Sequence, residues 1–196
     1  LAPVVAAARA AVPADVLVVS DDSTDATAER ARAAGARVMR MPLRSGAWIA
    51  TQAGLRWAQR QGYSHVLTLD ADGQHDPAHF PRMLDALQAR EADLVIGIFP
   101  ERHSALRKLA GRWFRLLTGL KVEDLTSGMR IYGPRALLAA TTPEATLLDY
   151  QDLGVLLLCR QAGLSIHEVE APMRPRSSGR SHVFSSWRKV LAYMLE

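Results

Sequence analysis

The sequence contains almost no cysteine and no long uncharged apolar run. Cys159 is its single cysteine, which excludes an intrachain disulfide and a cysteine-based zinc site and predicts a buried free thiol. A membrane-spanning helix needs about 18 or more consecutive apolar residues, and charged side chains interrupt every apolar stretch well before that length. We therefore expect no transmembrane helix.

Repeats, low-complexity segments and an N-terminal glycine-rich loop are missing as well. No change of composition marks a domain boundary, and 48% of the 196 residues are hydrophobic, so we expect residues 1–196 to form a single domain with a full core. The missing glycine-rich phosphate loop argues against nucleotidyl transfer.

Positive charge is concentrated towards the end of the chain. The formal net charge is +4, and residues 172–196 hold five Lys or Arg against one Glu. A second basic cluster consists of Arg102, Arg107, Lys108, Arg112 and Arg115. Such segments suggest an anionic partner, which at this point is nucleic acid, membrane headgroups or a phosphorylated ligand.

Apolar runs typical of strands alternate with helical patterns. Strands are predicted at 16–19, 38–41, 65–69, 93–99 and 165–170, and helices at 1–11, before Gly35, and at 46–61, 77–90, 103–117 and 149–162. A turn is predicted at 124–130. This order predicts an α/β fold with a mostly parallel sheet and helices on both faces.

The most informative segment is the apolar run that ends at Asp70 and Asp72. Burying an uncompensated carboxylate is costly, so the pair is expected at the carboxyl edge of a strand, where parallel sheets bind ligands. Residues i and i+2 project to the same side about 6–7 Å apart, and a divalent cation could bridge them to a diphosphate. The alternative is a polar loop before a helix that starts at Asp76-Pro77.

Five motifs follow one another along the chain. They are Val18-Val19-Ser20-Asp21-Asp22-Ser23-Thr24-Asp25; Gly46 with Ala50 and Gly54; Leu69-Asp70-Ala71-Asp72-Gly73-Gln74-His75; Thr126-Ser127-Gly128-Met129-Arg130; and Glu168-Val169 before Arg176-Ser177-Ser178-Gly179-Arg180-Ser181. In this order the chain resembles family 2 glycosyltransferases, most closely the dolichyl- or polyprenyl-phosphate sugar synthases. The resemblance implies a Rossmann-like GT-A fold, a nucleotide-sugar donor and a divalent cation, Mg²⁺ or Mn²⁺.

The resemblance also implies a role for each matching residue. Metal and diphosphate would be held by Asp70, Asp72 and Gln74, with Asp72 and Gln74 as direct ligands. The donor would be contacted by Asp21, Asp25 and Asp70 and by the basic loop residues Arg176, Arg180 and Ser181. The acceptor-side turn would use Ser127 and Arg130, and Asp152 falls where members acting on saccharides keep a catalytic base. Asp152 can instead be read as a helix N-terminal acid favoured by the helix dipole.

The sequence departs from the family pattern at three places. Ser20 stands where the family has Asp, Asp22 where it has Gly, and Arg44-Ser45-Gly46 replaces an Asn-x-Gly-x-Gly segment. The family's first strand, which ends in Pro-x-Tyr-Asn-Glu, would precede Leu1. We therefore expect an N-terminally truncated glycosyltransferase domain without the first strand.

The implied function is metal-dependent, inverting transfer of a sugar to a polyprenyl phosphate in cell envelope biogenesis. A phosphate monoester has its second pKa near about 6, so it attacks without a strong protein base. One alternative is transfer to a saccharide hydroxyl in envelope polysaccharide synthesis, with Asp152 as base. Another is a degenerate domain that binds nucleotide sugars without catalysis.

The end of the chain predicts an amphipathic helix at 184–195. Its apolar residues recur at helical spacing beside Arg188 and Lys189, which fits either docking on an anionic membrane or packing on the protein's own core. We expect a cytoplasmic protein, peripheral at the inner face of the membrane, without a nucleic-acid partner. The sequence leaves the sugar, the base and the oligomeric state open.

Overall fold

The structure is a computed structural model that describes residues 1–99, 119–120, 122–125, 127–147 and 151–173. The helices are α1 (Ala2–Ala11), α2 (Thr27–Ala33), α3 (Ala47–Arg60), α4 (Phe80–Ala89), α5 (Pro134–Ala140), α6 (Pro143–Thr146) and α7 (Gln151–Gln161), with a 3₁₀ turn at Pro77–His79. The strands are β1 (Leu17–Asp21), β2 (Arg37–Met41), β3 (Val66–Thr68), β4 (Leu94–Ile98), β5 (Arg130–Tyr132) and β6 (Ile166–Glu170).

The strands form a parallel β1–β2 pair and a four-stranded sheet in the order β3-β5-β4-β6. The β4–β6 pair is parallel, whereas β5 runs antiparallel to both β3 and β4. The α/β class is therefore confirmed, but the sheet is mixed rather than mostly parallel. The sequence pattern does not predict β5, because its three residues are all buried and are too few to show an alternating pattern.

Helices cover both faces of the four-stranded sheet, as the sequence predicts. Leu94 and Ile96 of β4 pack in one cluster with Leu55 of α3 and with residues of α5 and α7. Val95 points to the other face and packs against Phe80 and Met83 around α4. This alternation along β4 is the period of two that a strand buried on both faces must show.

The β1–β2 pair is held by helices on both of its sides. Val5 of α1 and Ala31 of α2 form a small core with Val18 and Val38. On the opposite side, Gly54 lets α3 approach β1, because a Cβ at Gly54 would lie 3.2 Å from Cγ2 of Val19. Helix α3 also contacts β3, so it links the parallel pair to the larger sheet.

Several predicted features are not tested by the fold. The predicted helices at 103–117 and 184–195 and the basic loop at 176–181 lie outside the described residues. The single domain and the missing first strand stay predictions. Within the part of the chain that the structure describes, no helix is both long and apolar enough to span a bilayer. Cys159 is a buried free thiol, as predicted, and burial raises its pKa to about 11.

Candidate functional site

The carboxylate of Asp21 joins the end of β1 to the start of α3. Its Oδ1 accepts a hydrogen bond of 2.7 Å from the backbone N–H of Ser45, and Oδ2 accepts one of 2.8 Å from Gly46. Gly46 is the N-cap of α3 and has a φ of 87°, a region open to glycine. Asp21 therefore holds the segment that begins α3, where unpaired backbone N–H groups need acceptors. Its predicted contact with a donor stays a prediction.

We expect Asp21→Ala to lower the free energy of unfolding by about 0.5–2 kcal/mol, the range found when a helix loses a side-chain acceptor at its N-terminus. The matched control is Asp85→Ala on α4, an exposed side chain, which should stay within about 0.5 kcal/mol of the parent protein. Urea unfolding followed by circular dichroism measures both. Equal stability of the two variants would contradict the role of Asp21 in holding the start of α3.

The rest of the acidic loop shows how the chain accommodates its departures from the family pattern. Asp22 has a φ of 53°, a left-handed conformation that Asp tolerates better than most residues and that fits the glycine expected here from the family pattern. Asp25 is exposed and accepts from the backbone N–H of Thr27 at 3.0 Å. Hydrogen bonds from the side chain and backbone of Thr27 lower the pKa of Asp25. Ser20, which stands where the family pattern has Asp, is buried. The exposed carboxylates of this loop are those of Asp22 and Asp25.

The Asp70–Asp72 pair lies where the sequence predicts it, beyond the carboxyl end of β3. Both residues are exposed. The loop turns at Gly73, whose φ is 83°, and Oδ1 of Asp72 accepts from the backbone N–H of Gln74 at 2.9 Å. The turn therefore orients Asp72 at the surface, next to Asp70.

His75 fastens this loop from the protein interior. Its ring is buried, with 3% of the residue exposed, and stacks on Phe99 with ring centroids 5.2 Å apart. Nδ1 accepts a 3.0 Å hydrogen bond from the backbone N–H of Asp70 and lies 3.8 Å from Oδ2 of the same residue. A neutral ring that accepts at Nδ1 carries its proton on Nε2. The sequence pattern did not indicate this contact.

The predicted acceptor-side turn lies directly against Asp70. A Cβ added at Gly128 would stand 2.9 Å from Oδ2 of Asp70, so only glycine allows this approach without displacing the carboxylate. The hydroxyl of Thr68 donates to the carbonyl of Gly128 at 3.0 Å. Two segments that are far apart in the sequence are thus joined at one edge of the sheet.

Ser127 and Arg130 are buried and shape this turn. The Ser127 hydroxyl accepts from the backbone N–H of Met129 at 3.2 Å. Arg130 donates from Nε to the Ser127 carbonyl at 2.8 Å and from Nη2 to the Leu125 carbonyl at 3.3 Å. Arg130 also lines a small pocket of about 30 Å³ together with Trp48, Thr51, Thr68, Leu69, Asp70, Gly128 and Tyr132. Their predicted role toward the acceptor stays a prediction.

Glu168 on β6 supports the segment that leads into the turn. Its Oε1 accepts backbone hydrogen bonds from Glu123 at 2.8 Å and from Asp124 at 2.9 Å. Burial raises the pKa of this carboxyl, although the two N–H donors oppose that effect. Glu168 belongs to one of the five sequence motifs but had no expected role there, and the structure gives it a positioning contact.

The candidate metal ligands are the oxygen atoms of the Asp70–Asp72 loop. Among the residues that the structure describes, no group of three or more His, Cys, Asp or Glu side chains is placed to hold an ion. A pair of exposed carboxylates fits Mg²⁺ or a similar hard cation, which commonly uses one or two carboxylates plus water and substrate phosphate. Asp152 is the second residue of α7, and its side chain lies outside the described part.

Comparison with known proteins identifies glycosyltransferases both by family model and by sequence identity. The model of the family "Glycosyl transferase family 2" matches residues 2–136. Undecaprenyl-phosphate mannosyltransferase of Micrococcus luteus is 37% identical over 181 residues, covering 84% of this chain and 73% of the relative. Polyprenol monophosphomannose synthase of Mycolicibacterium smegmatis is 38% identical over 133 residues, covering 60% of this chain and 50% of the relative.

The structural comparison concerns the fold alone. Glucosyl-3-phosphoglycerate synthase of Mycobacterium tuberculosis, crystallised with phosphoglyceric acid, superimposes with a TM-score of 0.70 at 20% identity. The match covers 91% of this chain and 68% of that structure. The predicted GT-A fold is thereby confirmed.

Proposed function

The chain belongs to glycosyl transferase family 2, and from that premise we propose that it transfers a sugar from a nucleoside-diphosphate sugar to a polyprenyl phosphate, with inversion. The observation that carries the proposal is the exposed Asp70–Asp72 pair beside the Gly128 turn. The two relatives described above are named for undecaprenyl-phosphate and polyprenol-phosphate chemistry. The chain spans only half the length of the second.

The proposed chemistry follows from the charge of the leaving group. Breaking a sugar–phosphate bond releases a nucleoside diphosphate, and a bound Mg²⁺ or Mn²⁺ would neutralise it. Asp70, Asp72 and Gln74 would hold that ion. A crystal structure of glucosyl-3-phosphoglycerate synthase contains Mn²⁺ and UDP-glucose, which supports a cation in this fold. Asp21, Asp25, Asp70, Arg176, Arg180 and Ser181 would bind the donor.

The acceptor supplies its own nucleophile in this proposal. A phosphate monoester is already ionised at neutral pH, so the protein needs to orient it rather than deprotonate it. Ser127 and Arg130 shape the turn on which this orientation would depend. The test uses a panel of UDP-, GDP-, CDP- and dTDP-sugars with undecaprenyl phosphate, undecaprenol or free saccharides as acceptor, in detergent. We expect a metal-dependent lipid product with undecaprenyl phosphate and none with the other acceptors. Transfer only to undecaprenol or to saccharides would overturn the proposal.

Asp152 distinguishes this proposal from transfer to a sugar hydroxyl. With a polyprenyl phosphate, Asp152→Asn should change kcat only modestly, because no base is required. A hydroxyl acceptor would make the loss about 10²–10⁴-fold. Steady-state rates with both acceptor classes decide the matter. A collapse of that size together with activity on free saccharides would favour envelope polysaccharide synthesis, and donor binding without any transfer would favour a non-catalytic domain.

The proposed acceptor also requires access to a membrane, and we include a peripheral position at an anionic membrane surface. The segment 184–195 would contribute an apolar stripe with Arg188 and Lys189 beside it. The parent chain should co-sediment with phosphatidylglycerol vesicles. A variant with Trp187→Ala, Arg188→Ala and Lys189→Ala should stay in the supernatant. Unchanged sedimentation of that variant would contradict this contact.

A further inference from the structure

Trp48, the second residue of α3, forms part of the wall of the small pocket beside Asp70. Its ring belongs to the larger core cluster and is 5% exposed. The indole Nε1 donates a hydrogen bond of 2.6 Å to the backbone carbonyl of Ala145 on α6. The start of α3 is held as well, because Asp21 accepts from the backbone N–H of Gly46. Contacts of the ring and of the backbone therefore fix Trp48 against the pocket.

The pocket runs from an exposed rim to a buried inner end. Among its lining residues, Asp70 is exposed, and the buried ones are Trp48, Arg130 and Tyr132. The volume is about 30 Å³. A space of this kind needs about 10–15 Å³ to hold one water molecule, so the pocket has room for about two non-hydrogen atoms of a ligand. A whole sugar ring or a phosphate group is larger than that.

The polar groups of the pocket suit a neutral group that both donates and accepts hydrogen bonds. The hydroxyl protons of Thr51 and Thr68 are committed to backbone carbonyls, which leaves their oxygen atoms as acceptors. Among the described residues, the charged side chains of the lining are Asp70 and Arg130, and their charges are opposite. A hydroxyl group fits this balance, whereas a phosphate with nearly two negative charges would need an excess of positive charge.

The size of the pocket depends on a residue in which this chain departs from the family pattern. The last glycine of the Asn-x-Gly-x-Gly pattern falls at position 48, where this chain has tryptophan. Glycine has no side chain, so the space that the indole fills would be open if the family residue stood there. Trp48 therefore sets how large a group can enter beside Asp70.

We propose that Trp48 determines which sugar the chain accepts, by limiting this pocket to one hydroxyl or hydroxymethyl group of the donor sugar. The inference rests on the proposed function, in which Asp70 and Asp72 hold the cation on the donor diphosphate. The transferred sugar is bonded directly to that diphosphate, so one of its substituents would reach a pocket that Asp70 borders. Trp48 excludes sugars with a larger substituent at that ring position.

The test compares donor analogues that differ at one ring position. Each hydroxyl of the sugar preferred in the donor panel is converted in turn to its methyl ether. For every analogue we would measure kcat/KM with undecaprenyl phosphate and the dissociation constant in the presence of Mn²⁺. One extra methylene-sized group in a closed pocket costs about 10–200-fold. The parent chain should reject the methyl ether at one position by such a factor, and Trp48→Ala should recover about tenfold or more at that position alone.

Three further variants separate specificity from folding. Trp48→Leu keeps an apolar side chain in the core, so it should fold where Trp48→Ala does not and should show the same shift to a smaller extent. Trp48→Phe keeps an aromatic ring at the wall and should retain most of the discrimination. Trp57→Leu removes a partly exposed tryptophan of the same helix that does not line the pocket, and it should leave the ratios between donors unchanged.

A purely structural role of Trp48 would lower the values for all donors together and leave their ratios as in the parent chain. That result for Trp48→Ala and Trp48→Leu would overturn the proposal, as would a parent chain that accepts every methyl ether as well as the unmodified donor. Failure of the proposed function has another signature, in which donors bind with Mn²⁺ but no sugar reaches undecaprenyl phosphate. The dissociation constants of the analogues would still test Trp48 in that case.

Discussion

Asp72→Asn is expected to lower metal-dependent kcat/KM by about 10²–10³-fold or more, because the cation would lose the charged ligand that we propose Asp72 to be, next to an anionic diphosphate leaving group. The fold should survive. Asp72 is exposed, and the amide oxygen of Asn can still accept the hydrogen bond that Oδ1 of Asp72 receives from Gln74. The substitution therefore removes charge and leaves the turn in place.

Donor binding provides a second measurement of the same variant. A ligand at about one hundred times its dissociation constant stabilises a protein by roughly 2.7 kcal/mol, so a nucleotide sugar with Mn²⁺ should raise the melting temperature of the parent chain. Asp72→Asn should lose most of that rise, whereas Asp85→Asn on α4 should keep it. Metal-dependent turnover that persists in Asp72→Asn would show that Asp72 is not a ligand.

The part of the site that could be predicted from sequence depends on local rules. Asp70 and Asp72 had to leave the core at the end of an apolar strand because burying them unpaired is costly, and the structure places both in solvent. Asp22 could be recognised as unusual because it stands where the family pattern has glycine. The structure gives it a φ of 53°, a region that glycine adopts more easily. These features follow from a few neighbouring residues.

The missed features depend on contacts between distant segments. The Thr68–Gly128 hydrogen bond joins residues 60 positions apart, and nothing local at Gly128 indicates that Asp70 will lie against it. The strand β5 exists because it pairs with β3 on one side and with β4 on the other, and both strands are distant from it in the sequence. Other misses were local: Gly133-Pro134 and Thr142-Pro143 are ordinary helix starts, and the structure begins α5 and α6 at these prolines.

Two substitutions of His75 should rank differently in activity and in stability. In His75→Phe the ring can still stack on Phe99, but the backbone N–H of Asp70 loses its acceptor. In His75→Asn the amide oxygen can replace Nδ1 as acceptor, while the lost ring leaves a cavity beside Phe99. We expect Phe to preserve stability better and Asn to preserve activity better.

The expected changes in activity and in stability are large enough to measure. Residues that orient metal ligands contribute about 10–100-fold to metal affinity or activity, so His75→Phe should weaken Mn²⁺ binding and raise the Mn²⁺ concentration for half-maximal turnover within that range. His75→Asn should stay near the parent protein in both measurements but lose about 1–3 kcal/mol of stability to the cavity. Activity that instead follows stability, with Asn worse than Phe in both, would mean that His75 only fills space and that the acceptor at Nδ1 does not hold the Asp70 loop.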